Sequence, residues 1–307
     1  VQINTTNSVI SLCTLIECFI TVDNGVDRKA QGDANFFPLV EKWFVYCLVW
    51  SIGGAATDEG RRMINDKIRD IDSLFPPFGT VYDYFVDVSS REFKLWETVV
   101  PKGWRPPRDA ASQFFKILVP TVDTIRNSFI VEALLRNRKP VLVGGSSGTG
   151  KTVLAAQILG GLDKSTSSVL VMNFSSATTA STTQEIVESM MEKRSKNKLG
   201  PKGGKKLIAF VDDLNMPKKD LFGSQPPLEL MRQWMDYGGW YDRSKCSWRF
   251  VLDMQVVAAM APPGGGRSEI SERTQSRFNM INFTFPERSQ ILRIFSSIIA
   301  PHFATFD

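Results

Sequence analysis

The chain is poor in the residues that build metal and thiol chemistry. Its 307 residues include four cysteines (Cys13, Cys18, Cys47 and Cys246) and one histidine, His302. There is no CxxC pair and no His partner at metal-ligand spacing, so the sequence gives no support for zinc or a Cys–His nucleophile. Buried, reduced thiols are the expectation. An uninterrupted run of 18 apolar residues is also lacking, and no membrane partner is expected. The sequence starts at Val1 with neither Met nor a signal-peptide pattern and reads as a piece of something longer. A strong charge bias is also lacking: 37 basic residues face 32 acidic ones, a formal net charge of +5. The small excess collects in KRSKNKLGPKGGKK (193–206), without interleaved aromatics and broken by Gly and Pro. A solvated loop is expected there, and no nucleic acid partner.

What is present is an ordinary core composition, 43% hydrophobic, which needs no disulfide or metal to close. Residues 8–22 are strongly apolar and read as a buried helix or a strand. FFPLVEKWFVYCLVWSIGGAA (36–56) is apolar nearly all round and ends at Gly53-Gly54, the pattern of a buried helix with a glycine stop. In 57–75, Met63, Ile64, Ile68, Ile71 and Leu74 fall at helical spacing after a cap at Thr57 or Asp58. Residues 76–112 break this rhythm with five prolines and alternating Val, Tyr, Phe and Trp, which predicts short strands and a connector. A short strand is expected at 117–119, then a helix before Pro140.

From Pro140 strands alternate with helices. PVLVG, SVLVMNF, KLIAFVDD, FVLDMQVVAAM and MINFTF read as strands, and the helices between them include 182–194 and 226–238. The fold class is therefore α/β, a mostly parallel sheet with helices on both faces, preceded by a helical small subdomain. Trp234, Trp240 and Tyr241 are expected in packing rather than on a partner surface.

The segment VLVGGSSGTGKTV (141–153) carries the chemistry. Gly145, Ser146, Ser147, Gly148, Thr149, Gly150, Lys151 and Thr152 fit GxxxxGK[ST] without gaps. The glycines let successive N–H groups face phosphate oxygens, and the following helix adds its positive end. Lys151 suits the β- and γ-phosphates, and the Thr152 hydroxyl suits Mg2+. The motif thus calls for ATP or ADP with Mg2+ as cofactors. The strand LIAFVDD supplies Asp212 for the metal side and Asp213 to orient or activate water.

The run VDDLNMPKKDLFGSQPPLELMRQWMDYGGWYDR (211–243) resembles the third AAA+ module of axonemal dynein heavy chains. ILVPTVDTIR (117–126), VAAMAPPGGGRS (257–268), FPPFGTVYDYFVD (75–87) and FVYCLVWSIGG (44–54) agree, in the expected order. The resemblance implies a layout: 1–75 the helical small subdomain of the second module, 76–112 a connector, 113–286 the third large subdomain, and 287–307 a truncated start of its small subdomain. It implies that Val119, Pro120 and Thr121 lie near the adenine. Arg273 or Arg277, with Arg277 preferred, would be an arginine finger serving the neighbouring module. It also implies a minus-end-directed motor of the cilium or flagellum axoneme, in cytoplasm and cytoskeleton. Its partners would be the other AAA+ modules of the same chain, dynein intermediate and light chains, and microtubules.

Two departures bear on turnover. The resemblance leads one to expect Asp-Glu where this chain has Asp212-Asp213, and a polar sensor where it has Ala261. Asp213 is shorter than Glu by one C–C bond, about 1.5 Å, and a misplacement of about 1 Å can cost on the order of 100-fold in rate. A regulatory site that binds nucleotide and hydrolyses it slowly or not at all is expected. The alternatives are an actively hydrolysing AAA+ site, a structural segment with an empty site, and a nucleic-acid ATPase. PPGGGRS (262–268) reads as an anion nest or, preferred, as a turn that Arg267 anchors.

Overall fold

The computed structural model describes residues 5–106 and 117–303. The chain forms two compact units, Val1–Asn137 with Ile281–Asp307, and Arg138–Met280. The 107–112 end of the predicted connector lies outside the described residues.

The first unit begins with α1 (Thr5–Phe19), the short α2 (Arg28–Gln31) and α3 (Asp33–Gly53). The apolar stretch left open between helix and strand is thus helical. On α3, Leu39, Trp43, Val45, Tyr46, Cys47, Val49 and Trp50 are all buried, as an all-round apolar pattern requires. Phe19 of α1 stacks on Trp43, centroids 5.3 Å apart, and meets Tyr46 edge-on. By length and composition alone α3 could cross a bilayer, although half of that stretch is buried inside the fold. Counting only unbroken apolar runs overlooks it, because Glu41 and Lys42 interrupt the sequence. Lys42 is ion-paired to Glu92 at 2.6 Å, which suits a core helix.

Next come α4 (Asp58–Ile71), β1 (Tyr84–Asp87) and β2 (Glu92–Leu95), the strands forming an antiparallel hairpin. Thr57 caps α4, accepting the Gly60 N–H at 3.3 Å. The predicted apolar stripe of α4 fails in part: Met63 and Ile71 are exposed, and Arg61 is buried beside Ile68. The predicted strand at 117–119 is not formed. The chain there leads directly into the cap of α5 (Val122–Arg136), whose first turn is closed by Thr121 and Thr124. Of the cysteines, Cys18 and Cys47 are buried as expected, whereas Cys13 and Cys246 are exposed; no disulfide joins any of them.

The second unit is built on β3 (Val141–Gly144), α6 (Lys151–Gly160), β4 (Ser167–Asn173) and α7 (Ala180–Ser189). Then follow β5 (Met191–Ser195), β6 (Lys198–Pro201), β7 (Lys206–Asp212) and α8 (Pro226–Tyr237). β8 (Gly239–Tyr241), β9 (Trp248–Val251), β10 (Met254–Met260), α9 (Glu272–Gln275) and the start of β11 (Asn279–Asn282) complete it. The main sheet has the order β11-β3-β10-β7-β4, with β10 parallel to β3 and β7, and β7 parallel to β4. Leu142, Leu207, Val211 and Ala258 on its central strands are fully buried. This is the α/β sheet expected, and it brings the ends of β3 and β7 to one edge with a single strand between them. Finally α10 (Arg288–Phe303) belongs to the first unit.

A second sheet, β5-β6-β9-β8, overturns the loop expected at 193–206. The helix predicted to reach residue 194 stops at Ser189, and the basic run becomes an antiparallel hairpin. Its lysines face solvent, yet β6 pairs with β9, and Gly200 leaves the room in which Arg194 crosses the hairpin to donate to the Pro201 carbonyl at 2.7 Å. Trp234 and Trp240 are buried and donate to the Val251 carbonyl and to Glu188; Tyr241 remains exposed.

Candidate nucleotide site

β3 delivers the chain into 145–150 and α6 takes it away. Gly148 and Gly150 have φ of 84° and 81°, the left-handed region that a side chain disfavours, and open space lies where a Cβ would stand on each. Ser146, Ser147 and Gly148 are exposed, while Gly145 is buried against the sheet. Thr149 donates to the Ser146 carbonyl at 2.9 Å and braces the turn.

Lys151 is folded back over this loop. Its ammonium donates to the carbonyls of Gly145 at 2.8 Å and Ser146 at 2.7 Å. Burial pushes its pKa down, an effect opposed by Asp212 and Asp213 and reinforced by Arg267. The next residue, Thr152, donates its hydroxyl to Asp212 Oδ2 at 2.8 Å. Loop and strand end thus converge on one hydroxyl and one carboxylate. Among the described residues no three His, Cys, Asp or Glu side chains gather to hold a metal. Thr152 and Asp212 fit a magnesium ion shared with phosphate oxygens, which needs few protein ligands.

Asp213 follows in the left-handed conformation, φ 52°. Its N–H donates to Asp212 Oδ1 at 3.0 Å, and its carboxylate is paired with Arg267 at 3.4 Å. That pairing was not legible in the sequence, where PPGGGRS read as an anion nest or, preferred, as a turn anchored by Arg267. The turn is there, a bridge between Gly264 and Arg267, but the side chain reaches back to the acidic end of β7. Asn215, buried, donates to the carbonyl of Ala261 at 2.8 Å; a polar side chain from the β7 loop therefore borders the position where a sensor was missing.

The remaining candidates lie apart from these residues in the sequence. Val119 and Thr121 are buried in the first unit, where Thr121 caps α5, and the Pro120 carbonyl accepts Arg293 Nε at 3.0 Å. Arg277 is exposed and paired to Asp236 of α8 at 2.7 Å; Arg273 is exposed.

A glycine loop between a parallel strand and a helix, a lysine folded into it and a Thr–Asp pair at a nearby strand end define a P-loop nucleotide-binding domain of the AAA class. The family follows from the comparisons. Residues 106–286 match the P-loop containing dynein motor region, and residues 1–98 match the dynein heavy chain AAA lid domain. The chain belongs to the dynein motor-region family. It is 48% identical over 301 residues to dynein axonemal heavy chain 2 of Homo sapiens, covering 98% of this chain and 7% of that protein. It is 45% identical over 269 residues to the Dynein-1-beta heavy chain, flagellar inner arm I1 complex, of Chlamydomonas reinhardtii, covering 88% of this chain and 6% of that protein. Dynein axonemal heavy chain 6 of Homo sapiens is 37% identical over 299 residues, 95% of this chain and 7% of its own length. The chain thus spans a small fraction of the relatives it matches.

Proposed function

We propose that this chain is a regulatory ATP/ADP-binding module of an axonemal dynein heavy chain, the third AAA+ module with the small subdomain of the second before it. The parent would be a minus-end-directed microtubule motor of the cilium or flagellum. Its partners would be the other AAA+ modules of the same chain, intermediate and light chains, and microtubules. In this reading 1–75 is the preceding small subdomain, 76–112 the connector, 113–286 the large subdomain and 287–307 the start of the next small one.

Lys151 and the N–H groups of 145–150 would bind the phosphates, Thr152 and Asp212 the Mg2+, and Val119–Thr121 the adenine side. Mg2+ would neutralise charge on the phosphates. Arg277 would leave Asp236 to serve the neighbouring module. Hydrolysis here is slow or absent. The observation that carries this reading is the end of β7. The binding pair Thr152–Asp212 is complete at 2.8 Å, while the next carboxylate is the short Asp213, already engaged by Arg267. A hydrolysing site is the second reading, favoured by the completeness of that same pair.

The test is the nucleotide content of the purified parent heavy chain carrying only this phosphate loop intact. Bound nucleotide that disappears with Lys151→Ala is expected, a loss of more than about 100-fold in affinity as phosphate contacts and the ammonium are removed together. An ADP-only content would favour the hydrolysing reading. No nucleotide in the unmutated protein, with Mg-ATP supplied, would make the segment structural and end the proposal.

A further inference from the structure

We propose that Arg267 is a positioning residue that senses the terminal phosphate: it holds Asp213 in an ion pair and exchanges that carboxylate for a phosphate when a triphosphate is bound. The proposal rests on the phosphate-loop reading above and adds its regulation.

The geometry has two parts, a fixed frame and a loose contact. The frame is main chain. Leu214 N–H donates to Ala259 O at 3.0 Å, Ser268 N–H to Asn215 O at 2.9 Å, and Gly264 and Arg267 exchange N–H···O bonds of 3.1 Å. The Asn215 side chain ties the same two segments through Ala261. Residues on both sides of the pair therefore cannot drift apart. The contact itself is different. Arg267 Nε and Nη2 both reach one oxygen, Asp213 Oδ1, at 3.4 Å. Charge-assisted bonds of this kind are ordinarily about 2.7–2.9 Å. The side chains are 28% and 45% exposed, so the guanidinium remains open to another anion.

Charge gives the exchange its direction. Lys151 and Arg267 balance Asp212 and Asp213, two cations against two carboxylates, and Arg267 is near enough for its charge to act on Lys151. A terminal phosphate brings negative charge to that balanced group. It offers the planar guanidinium two oxygens for a bidentate contact, against the single carboxylate oxygen it now reaches at long range. While paired, Asp213 has its Oδ1 occupied by Arg267. ADP, lacking the terminal phosphate, leaves the pair intact.

The experiment uses the parent heavy chain with this loop as the sole intact phosphate loop, titrated separately with fluorescent ATP and ADP analogues plus Mg2+. Arg267→Ala should weaken ATP about tenfold and leave ADP unchanged, one charged hydrogen-bonding contact being lost. Asp213→Asn removes the competitor and should move the ATP-to-ADP affinity ratio the opposite way, up by about tenfold. A merely structural pair would weaken both nucleotides alike in either variant. Unchanged ratios in both variants would overturn the proposal. If the unmutated protein binds neither analogue, the phosphate-loop reading itself falls and carries this one with it.

Discussion

Arg61 and Arg126 in the first unit are buried to 7% and 6% exposure, whereas Arg267 in the second stands partly open beside a glycine loop. Arg61 donates to the carbonyls of Gly53 at 3.1 Å and Gly54 at 3.2 Å, and lies over the rings of Trp50 and Tyr82. Arg126 donates to the Tyr82 carbonyl at 3.1 Å, pairs with Asp123 and lies over Trp50. A buried guanidinium must have its donors met, because the alternative is an uncompensated charge. The partners of Arg61 are backbone carbonyls and aromatic rings, which do not leave, and Arg126 adds to such partners the carboxylate of Asp123 from its own helix. Arg267 has one carboxylate at long range and is otherwise partly exposed. The same side chain therefore serves as a fixed strut in one unit and as an exchangeable cation in the other. What separates the roles is the permanence of the partner.

The largest effect that would sharpen this contrast is on the partner of Arg267. Asp213→Glu lengthens the carboxylate by about 1.5 Å and should raise single-turnover hydrolysis at this site by about 10- to 100-fold. Asp213→Asn should not exceed the unmutated rate. Rapid hydrolysis by the unmutated site that Asp213→Asn abolishes would show Asp213 to be long enough already, and the slow-site reading would fail.

The binding half of the site was legible because its residues are contiguous: strand, GxxxxGKT and helix follow one another, and LIAFVDD announces its own end. The pair Asp213–Arg267 was not, since 54 residues separate them and only the fold joins β7 to the loop after β10. The lysine-rich hairpin escaped for a related reason. β5 and β6 lack an apolar alternation, and β6 depends on a parallel partner, β9, distant in sequence. Buried Arg61 and Arg126 were invisible as well: arginine reads as surface until its aromatic neighbours are placed. The parallel sheet and the helix α3, by contrast, follow from runs of apolar residues that leave few other choices.

The fixed side of the comparison is tested at Gly53, which ends α3. A Cβ built there would fall on the hydroxyl and ring of Tyr82, a side chain buried to 3% exposure and itself packed on Trp50 and Arg61. Gly53→Ala should cost about 1–3 kcal/mol through overpacking, read as lost hydrogen-exchange protection across 33–53. Adding Tyr82→Phe, which removes the hydroxyl, should recover part of it. Equal protection in Gly53→Ala and the unmutated chain would mean that the Arg61 cluster is softer than its burial implies.

The smallest effect concerns an ion pair of intermediate character. Asp87 at the end of β1 accepts the Ser90 N–H at 2.8 Å, the Ser90 hydroxyl at 2.7 Å and Lys94 at 2.7 Å. The bond from Lys94, then those from Ser90, hold its carboxyl at about 2 against an ordinary 3.8. A folded value below the unfolded one means that the unfolded chain binds the proton more readily. The contribution is then complete above the ordinary value and disappears as pH falls through about 2. Hydrogen-exchange protection of 84–95, corrected for intrinsic rates, should therefore decline modestly over that interval in the unmutated protein. Asp87→Asn should start lower at neutral pH and change little. Because both partners are solvent-accessible, the difference should also shrink in high salt. A decline of equal size in Asp87→Asn would place the acid sensitivity elsewhere, and the hairpin would then owe its register to Phe93 and its backbone pairing rather than to this charge.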